Sequence, residues 1–279
     1  MPTGERVFRA IGLLAILLPL LVLAVLFVTT FVQGVPRLDG ELLTNAPSRF
    51  PAQAGILPAL AGTAFLMVLT ALIALPLGIG AALYLEEYAR PSRVTHLIEL
   101  TIGTLAGVPS IIYALLALEV FVRGIGLGRS LIAGALTLAL LVLPMIIMAS
   151  REALRTVPRS LREASFALGG DRWATLRHVI LPLAMPGILT GLILSMARAI
   201  GETAPLITIG ALTFVAFVPD GLDAPFTALP IQIFNWVSRP QPGFHVTAAA
   251  AIVVLLALLL LMNFTAIMLR RKMQRRVGG

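Results

Sequence analysis

Six stretches of the chain are almost purely apolar: roughly 9–32, 57–84, 97–122, 130–150, 183–213 and 246–269. Each reaches the ~20 residues that a helix needs to cross a hydrocarbon layer. None shows the alternating pattern of a barrel strand, and an open sheet would leave its edge groups unpaired in lipid. The pattern predicts an all-α membrane protein of six transmembrane helices, forming one membrane domain over residues 1–279.

The segment 151–182, between the fourth and fifth runs, breaks the pattern. Ser160 is placed to cap a helix carrying Leu161, Ala164 and Leu168 at i, i+3 and i+7. Gly169 and Gly170 can end it, because glycine readily takes the left-handed conformation beyond a helix end. Asp171 can cap a second helix with Trp173, Leu176 and Val179 or Ile180 on one face, and Pro182 then restricts the chain before the fifth run. Two short amphipathic helices with a sharp bend fit either of two uses. They can rest on anionic headgroups, or they can dock on a partner protein.

Charge decides the side. Of 279 residues 12% are charged and 58% hydrophobic, and the net charge is +8. Mean hydropathy is +0.98. With the amino terminus inside, 15 of the arginines and lysines fall in inner segments and 5 in outer ones. The positive-inside rule therefore puts both termini and the segment 151–182 in the cytoplasm. The basic balance is read as topology, with no nucleic acid as partner. The first run is too long for the apolar core of a signal peptide and lacks a cleavage pattern, so it is expected to remain as a span. There is no Cys, which removes disulfide, thiol and iron–sulfur chemistry. His96, His178 and His245 are too scattered for a metal site. No phosphate-binding GxxxxGK[ST] loop occurs, so any ATP-driven step belongs to another subunit.

Other features bear on packing. Gly103 with Gly107, and Gly187 with Gly191, let helices approach closely. Pro76, Pro109, Pro144 and Pro205 are candidate kinks. The outer segment 33–56 reads as irregular, 86–96 as a short inner connection, and Trp236 with Phe234 as an interfacial aromatic anchor.

The fifth run carries two charges, Arg198 and Glu202. Arg198 lies fourteen residues past Ala184, roughly 20 Å along a helix. A central charge costs about 2.5–3.5 kcal/mol on insertion scales. Glu202 is one turn further on the same face, with Ser195 and Thr203 nearby. The pair serves either as a structural tie between helices or as a polar path in which the guanidinium attracts an oxyanion.

The spelling of these segments is specific. Glu163-Ala164-Ser165, three residues, Gly169, nine residues and Val179-Ile180-Leu181-Pro182 resembles the EAA loop of bacterial ABC importer permeases. Ser165 and Val179 are mild departures. The resemblance implies a MetI-like permease fold whose coupling helix, between helices 4 and 5, docks on an ATPase. It assigns that coupling to Glu163, Ala164, Ser165, Gly169, Leu181 and Pro182. The run ARAIGETAP (197–205), with Gly107–Ser110 and Leu229–Trp236, is similar to the phosphate ABC importer permeases, and the continuation ETAPLI is closer to one of that family's two permease subunits. The resemblance implies a substrate path at Arg198, Glu202 and Thr203. It also implies a homologous second permease, two ATPase subunits that bind the ATP and Mg, an extracytoplasmic phosphate-binding protein, and inorganic phosphate as cargo in the inner membrane. No cofactor is expected in this chain, and it is not expected to be an enzyme. Sulfate or molybdate as cargo, and a stand-alone secondary transporter, are the alternatives.

Overall fold

The computed structural model describes residues 3–211 and 214–277. Among these, regular structure is entirely helical: α1 Thr3–Gly34, α2 Gly40–Thr44, α3 Leu57–Leu83, α4 Arg93–Leu105, α5 Ser110–Ala117, α6 Leu131–Arg155, α7 Arg159–Ala167, α8 Arg172–Thr175, α9 Leu181–Gly201, α10 Ala204–Thr208, α11 Leu229–Val237 and α12 Pro242–Val277. Widened π turns follow α3 (Tyr84–Tyr88), α5 (Leu118–Gly124) and α8 (Leu176–Ile180). Five stretches are long and apolar enough to cross a membrane: Val7–Arg37, Leu57–Tyr88, Leu131–Arg155, Arg172–Gly201 and Pro242–Lys272. A bent pair, Arg93–Leu105 with Ser110–Gly124, supplies the sixth.

Helix α6 is the axis of the bundle. It packs against α3 on one side and α9 on another, and most of its residues are buried. Glycine permits the α6–α9 approach: a Cβ on Gly187 would lie 2.7 Å from that of Ala153, and one on Gly191 would overlap Ala149. The second small-residue pair does not work this way, since no other helix lies against Gly103 or Gly107. Helix α1 lies along α12 at the edge of the body and is exposed along its length, as a lipid-facing helix must be.

The third apolar run is not one straight helix. Its halves meet at 108° across Ala106–Pro109. Pro109 has no N–H to donate and pushes Val108 out of helical geometry. The Tyr113 hydroxyl, buried on α5, donates to the Leu105 carbonyl at 2.7 Å and clasps the bend. The fifth run also ends early. The helix stops at Gly201, Glu202 is extended (φ −75°, ψ 117°), and α10 starts at Ala204. The ring of Pro205 would collide with the Gly201 carbonyl in a continuing helix. Thr213, the last residue of the expected run, lies outside the described residues. Pro76 and Pro144 sit inside unbroken helices.

Two segments between spans are more ordered than their composition suggests. Arg37 is buried, pairs with Asp39, and donates to the carbonyls of Ala52 (2.6 Å) and Ala54 (3.1 Å), so one guanidinium organises the segment 33–56. Trp236 is not at an interface. It is fully buried in a cluster with Leu42, Ile56 and Phe244, stacking on Phe244 with centroids 6.4 Å apart, while Phe234 is exposed.

Candidate functional site

The segment 151–182 folds as a helical hairpin. Helix α7 starts two residues earlier than its serine suggests, with Pro158 rather than Ser160 at the N-cap. Pro158 presets the turn into the helix. The far end is a complete Schellman motif: Gly170 N–H bonds the Ser165 carbonyl (3.0 Å), and Gly169 N–H bonds that of Phe166 (2.9 Å). Gly169 has φ +84°, the left-handed conformation that a side chain strains. Asp171 caps α8, accepting from Ala174 N at 2.6 Å. The Ser165 and Thr175 hydroxyls, 2.8 Å apart, tie the two helices.

Helix α8 does not stop before the fifth span. It continues through the π turn 176–180 into α9, one helical stretch from Arg172 to Gly201. Pro182 falls just after the widened turn, where its missing donor and its ring are accommodated. Leu181 and Pro182 are therefore half-buried helix residues, while Leu176 and Ile180 are core. The hairpin's other apolar side chains face outward. Leu168 is 90% exposed, Trp173 60% and Phe166 49%. Glu163 and Ala164 are also exposed, and Ser165 is turned inward by its bond to Thr175.

The hairpin is fastened to the body by ions. Arg162 on α7 meets Glu87 at 2.9 Å. Arg151, buried on α6, reaches Glu99 on α4 at 2.5 Å and Glu86 at 3.4 Å, and Arg155 bonds Glu86 at 3.0 Å. Three acids and three arginines thus join α3, α4, α6 and α7 at one end of the bundle. Reading the arginines only as topology missed this network. The adjacent Glu86-Glu87 pair at the end of an apolar run was the signal.

The charged pair of the fifth run lies at the opposite end of α9. Ala184 to Arg198 spans roughly 21 Å of helix. Arg198 occupies the last turn, where free carbonyls favour a cation. Its Nε donates to Glu202 Oε1 at 3.2 Å, and Nη1 lies 3.3 Å from Met145 Sδ on α6. The Arg198 side chain is 40% exposed and that of Glu202 16%. The guanidinium therefore keeps donors open at the bundle surface. Thr203, half-buried at the break, approaches only the Gly201 carbonyl (3.5 Å). Ser195 faces the core and bonds back to the Gly191 carbonyl at 2.9 Å, so it does not join Arg198. Helix α10 packs on α5, which brings the Glu202 break toward the bend at Gly107–Pro109. Among the described residues no cluster of His, Asp or Glu suits a metal ion.

The sequence pattern of the family described as "Binding-protein-dependent transport system inner membrane component" matches residues 74–275. The chain is 41% identical over 189 residues to "Phosphate transport system permease protein PstA 1" of Mycobacterium tuberculosis, covering 67% of this chain and 61% of that one. It thus spans less than two thirds of that relative. It is 37% identical over 231 residues to "Phosphate transport system permease protein PstA" of Mycobacterium leprae, covering 81% and 74%. A solved bacterial alginate ABC transporter, in complex with its alginate pentasaccharide-bound periplasmic protein, contains a chain that superposes with TM-score 0.65 at 16% identity, covering 99% of this chain and 98% of that chain. That likeness is one of fold.

Proposed function

We propose that this chain, which belongs to the family of binding-protein-dependent transport system inner membrane components, is the permease subunit of an ATP-driven phosphate importer. The observation that carries the reading is Arg198: a half-exposed guanidinium on an otherwise apolar helix, held by Glu202 with donors to spare. Relatives named for phosphate transport extend it to the cargo. In the cycle we infer, a phosphate oxyanion replaces part of the Arg198–Glu202 contact in a path shared with a homologous second permease. Glu202 limits how tightly the anion is held, and Thr203 supplies a hydroxyl at the break. A binding protein delivers phosphate from outside.

Two ATPase subunits, which hold the ATP and Mg, dock on the hairpins from inside. The exposed Phe166, Leu168 and Trp173 beside Glu163, Ala164 and the Gly169 bend support that docking, because they form an apolar surface left uncovered by the described residues. In this reading both termini are cytoplasmic. ATP binding then shifts the population between inward- and outward-open states by its differential affinity for them.

The test is uptake of labelled phosphate by cells carrying Arg198→Gln, with co-purification of the second permease and ATPase as control. Loss of uptake with assembly intact is expected. Loss of assembly would make the pair a structural tie. Sulfate or molybdate uptake that depends on the chain, with phosphate uptake unaffected, would change the cargo.

A further inference from the structure

A cavity of about 450 Å³ opens on the side of the bundle between α3, α9 and α12, away from Arg198. Its walls are apolar, with Met67, Ala71 and Leu75 on α3, Ile193 on α9, and Met262 and Ala266 on α12. The one hydroxyl in its lining is spent: Thr63 donates to the Ala59 carbonyl (2.8 Å) and accepts from Leu229 N (2.8 Å). Unbranched methionines let such a wall follow a flexible guest. Val68 and Leu72, on the same stretch of α3, are exposed, so the groove is reached from the side.

Arg270 stands at its lip. It lies one turn beyond Ala266 on α12, and its Nη1 donates to Thr190 Oγ1 at 2.9 Å, beside the lining residue Leu189. Its Nε is buried and has no hydrogen-bond partner, and no carboxylate among the described residues pairs with it. A half-buried guanidinium with a free donor calls for an oxyanion. Arg271 and Lys272 follow on other faces of α12, both exposed, and add positive charge at that end of the helix.

An apolar slot ending at an unpaired cationic lip matches one kind of guest, an amphiphile with an acyl chain and an anionic head. A partner helix would fill the slot but bring no anion to Arg270. We propose that the groove between α3, α9 and α12 holds an acyl chain of an anionic phospholipid whose phosphate is bound by Arg270. The site is separate from the phosphate path and stands whatever the cargo.

The full-length chain, delipidated in mild detergent, would be titrated with phosphatidylglycerol and with phosphatidylcholine of the same acyl chains, and the bound lipid counted by native mass spectrometry. One phosphatidylglycerol should bind about fivefold more tightly than phosphatidylcholine. Arg270→Gln should remove that preference without changing phosphatidylcholine binding, and Ala71→Trp should exclude both. A photoreactive residue at Val68, an exposed lining position at the mouth of the groove, should capture lipid in native membranes. Equal binding of the two lipids, or a preference that survives Arg270→Gln, would overturn the proposal. So would capture of a protein segment at Val68. Displacement of the lipid by excess inorganic phosphate would assign Arg270 to a soluble anion and equally overturn it.

Discussion

The joint between α7 and the body invites a quantitative test. Arg162 and Glu87 meet at 2.9 Å with side chains only 22% and 14% exposed, and Arg162 also donates to the Leu154 carbonyl at 3.1 Å. Neutralising Glu87 strands a largely buried guanidinium. Removing one partner of a fully buried pair costs about 3–5 kcal/mol. The residual exposure lowers this to about 2 kcal/mol, a factor of about 30 in the docking equilibrium. Glu87→Gln and Arg162→Gln should each raise amide exchange across residues 159–167 by about that factor, while α6 amides keep their protection. In the assembled transporter each should lower phosphate uptake per ATP hydrolysed. The exchanged pair Glu87→Arg with Arg162→Glu should recover part of both losses, because the coupling belongs to the pair. Unchanged exchange over α7 in both single variants would refute the reasoning. So would an exchanged pair no better than either single.

Three further outcomes are expected. Gly169→Val meets no steric neighbour but forces a side chain into φ +84°. It should cost about 1–3 kcal/mol at the hairpin and uncouple ATP hydrolysis from uptake while the protein still inserts, and normal uptake would count against docking there. Gly191→Leu drives a side chain into Ala149, and overpacking of this kind costs about 1–3 kcal/mol or more, seen as a lower thermal midpoint in detergent. Asp39 caps α2 by accepting from Leu42 N at 2.8 Å, and that bond, with Arg37 beside it, holds its carboxyl below the ordinary value. A depressed acid stabilises above its unfolded value and loses that contribution as pH falls through the folded one. Protease nicking of residues 33–56 should therefore rise on acidification in the parent chain, and be less pH-dependent in Asp39→Asn.

Where apolar periodicity dominates, the fold was legible. The long spans, the Gly169 bend and the Asp171 cap follow from local chemistry that needs no partner. The misses occur where distant groups or single backbone atoms decide. Pro109 and Pro205 were legible as kinks, but the size of the 108° bend and its clasp by the Tyr113 hydroxyl were not, nor that the helix before Pro205 ends outright at Gly201. Trp236 is buried because α11 folds back onto α12, a tertiary fact absent from its own segment. Arg151 and Glu86 are 65 positions apart, so their pairing is not visible along the chain. At the candidate site the Arg198–Glu202 contact was legible from its four-residue spacing, whereas Met145 as its neighbour was not.

The π turn at 176–180 has a mechanical meaning. By absorbing Pro182 without a break, it makes Arg172–Gly201 a single rod of 30 residues, roughly 45 Å long. Trp173 stands at one end and Arg198 in the last turn of the other. A tilt of about 5° about the middle of such a rod moves each end by about 2 Å, enough to open a contact of 3.3 Å like that between Arg198 on the rod and Met145 on α6. A push on the hairpin would then reach the Arg198 end as leverage, with no relay of side chains in between.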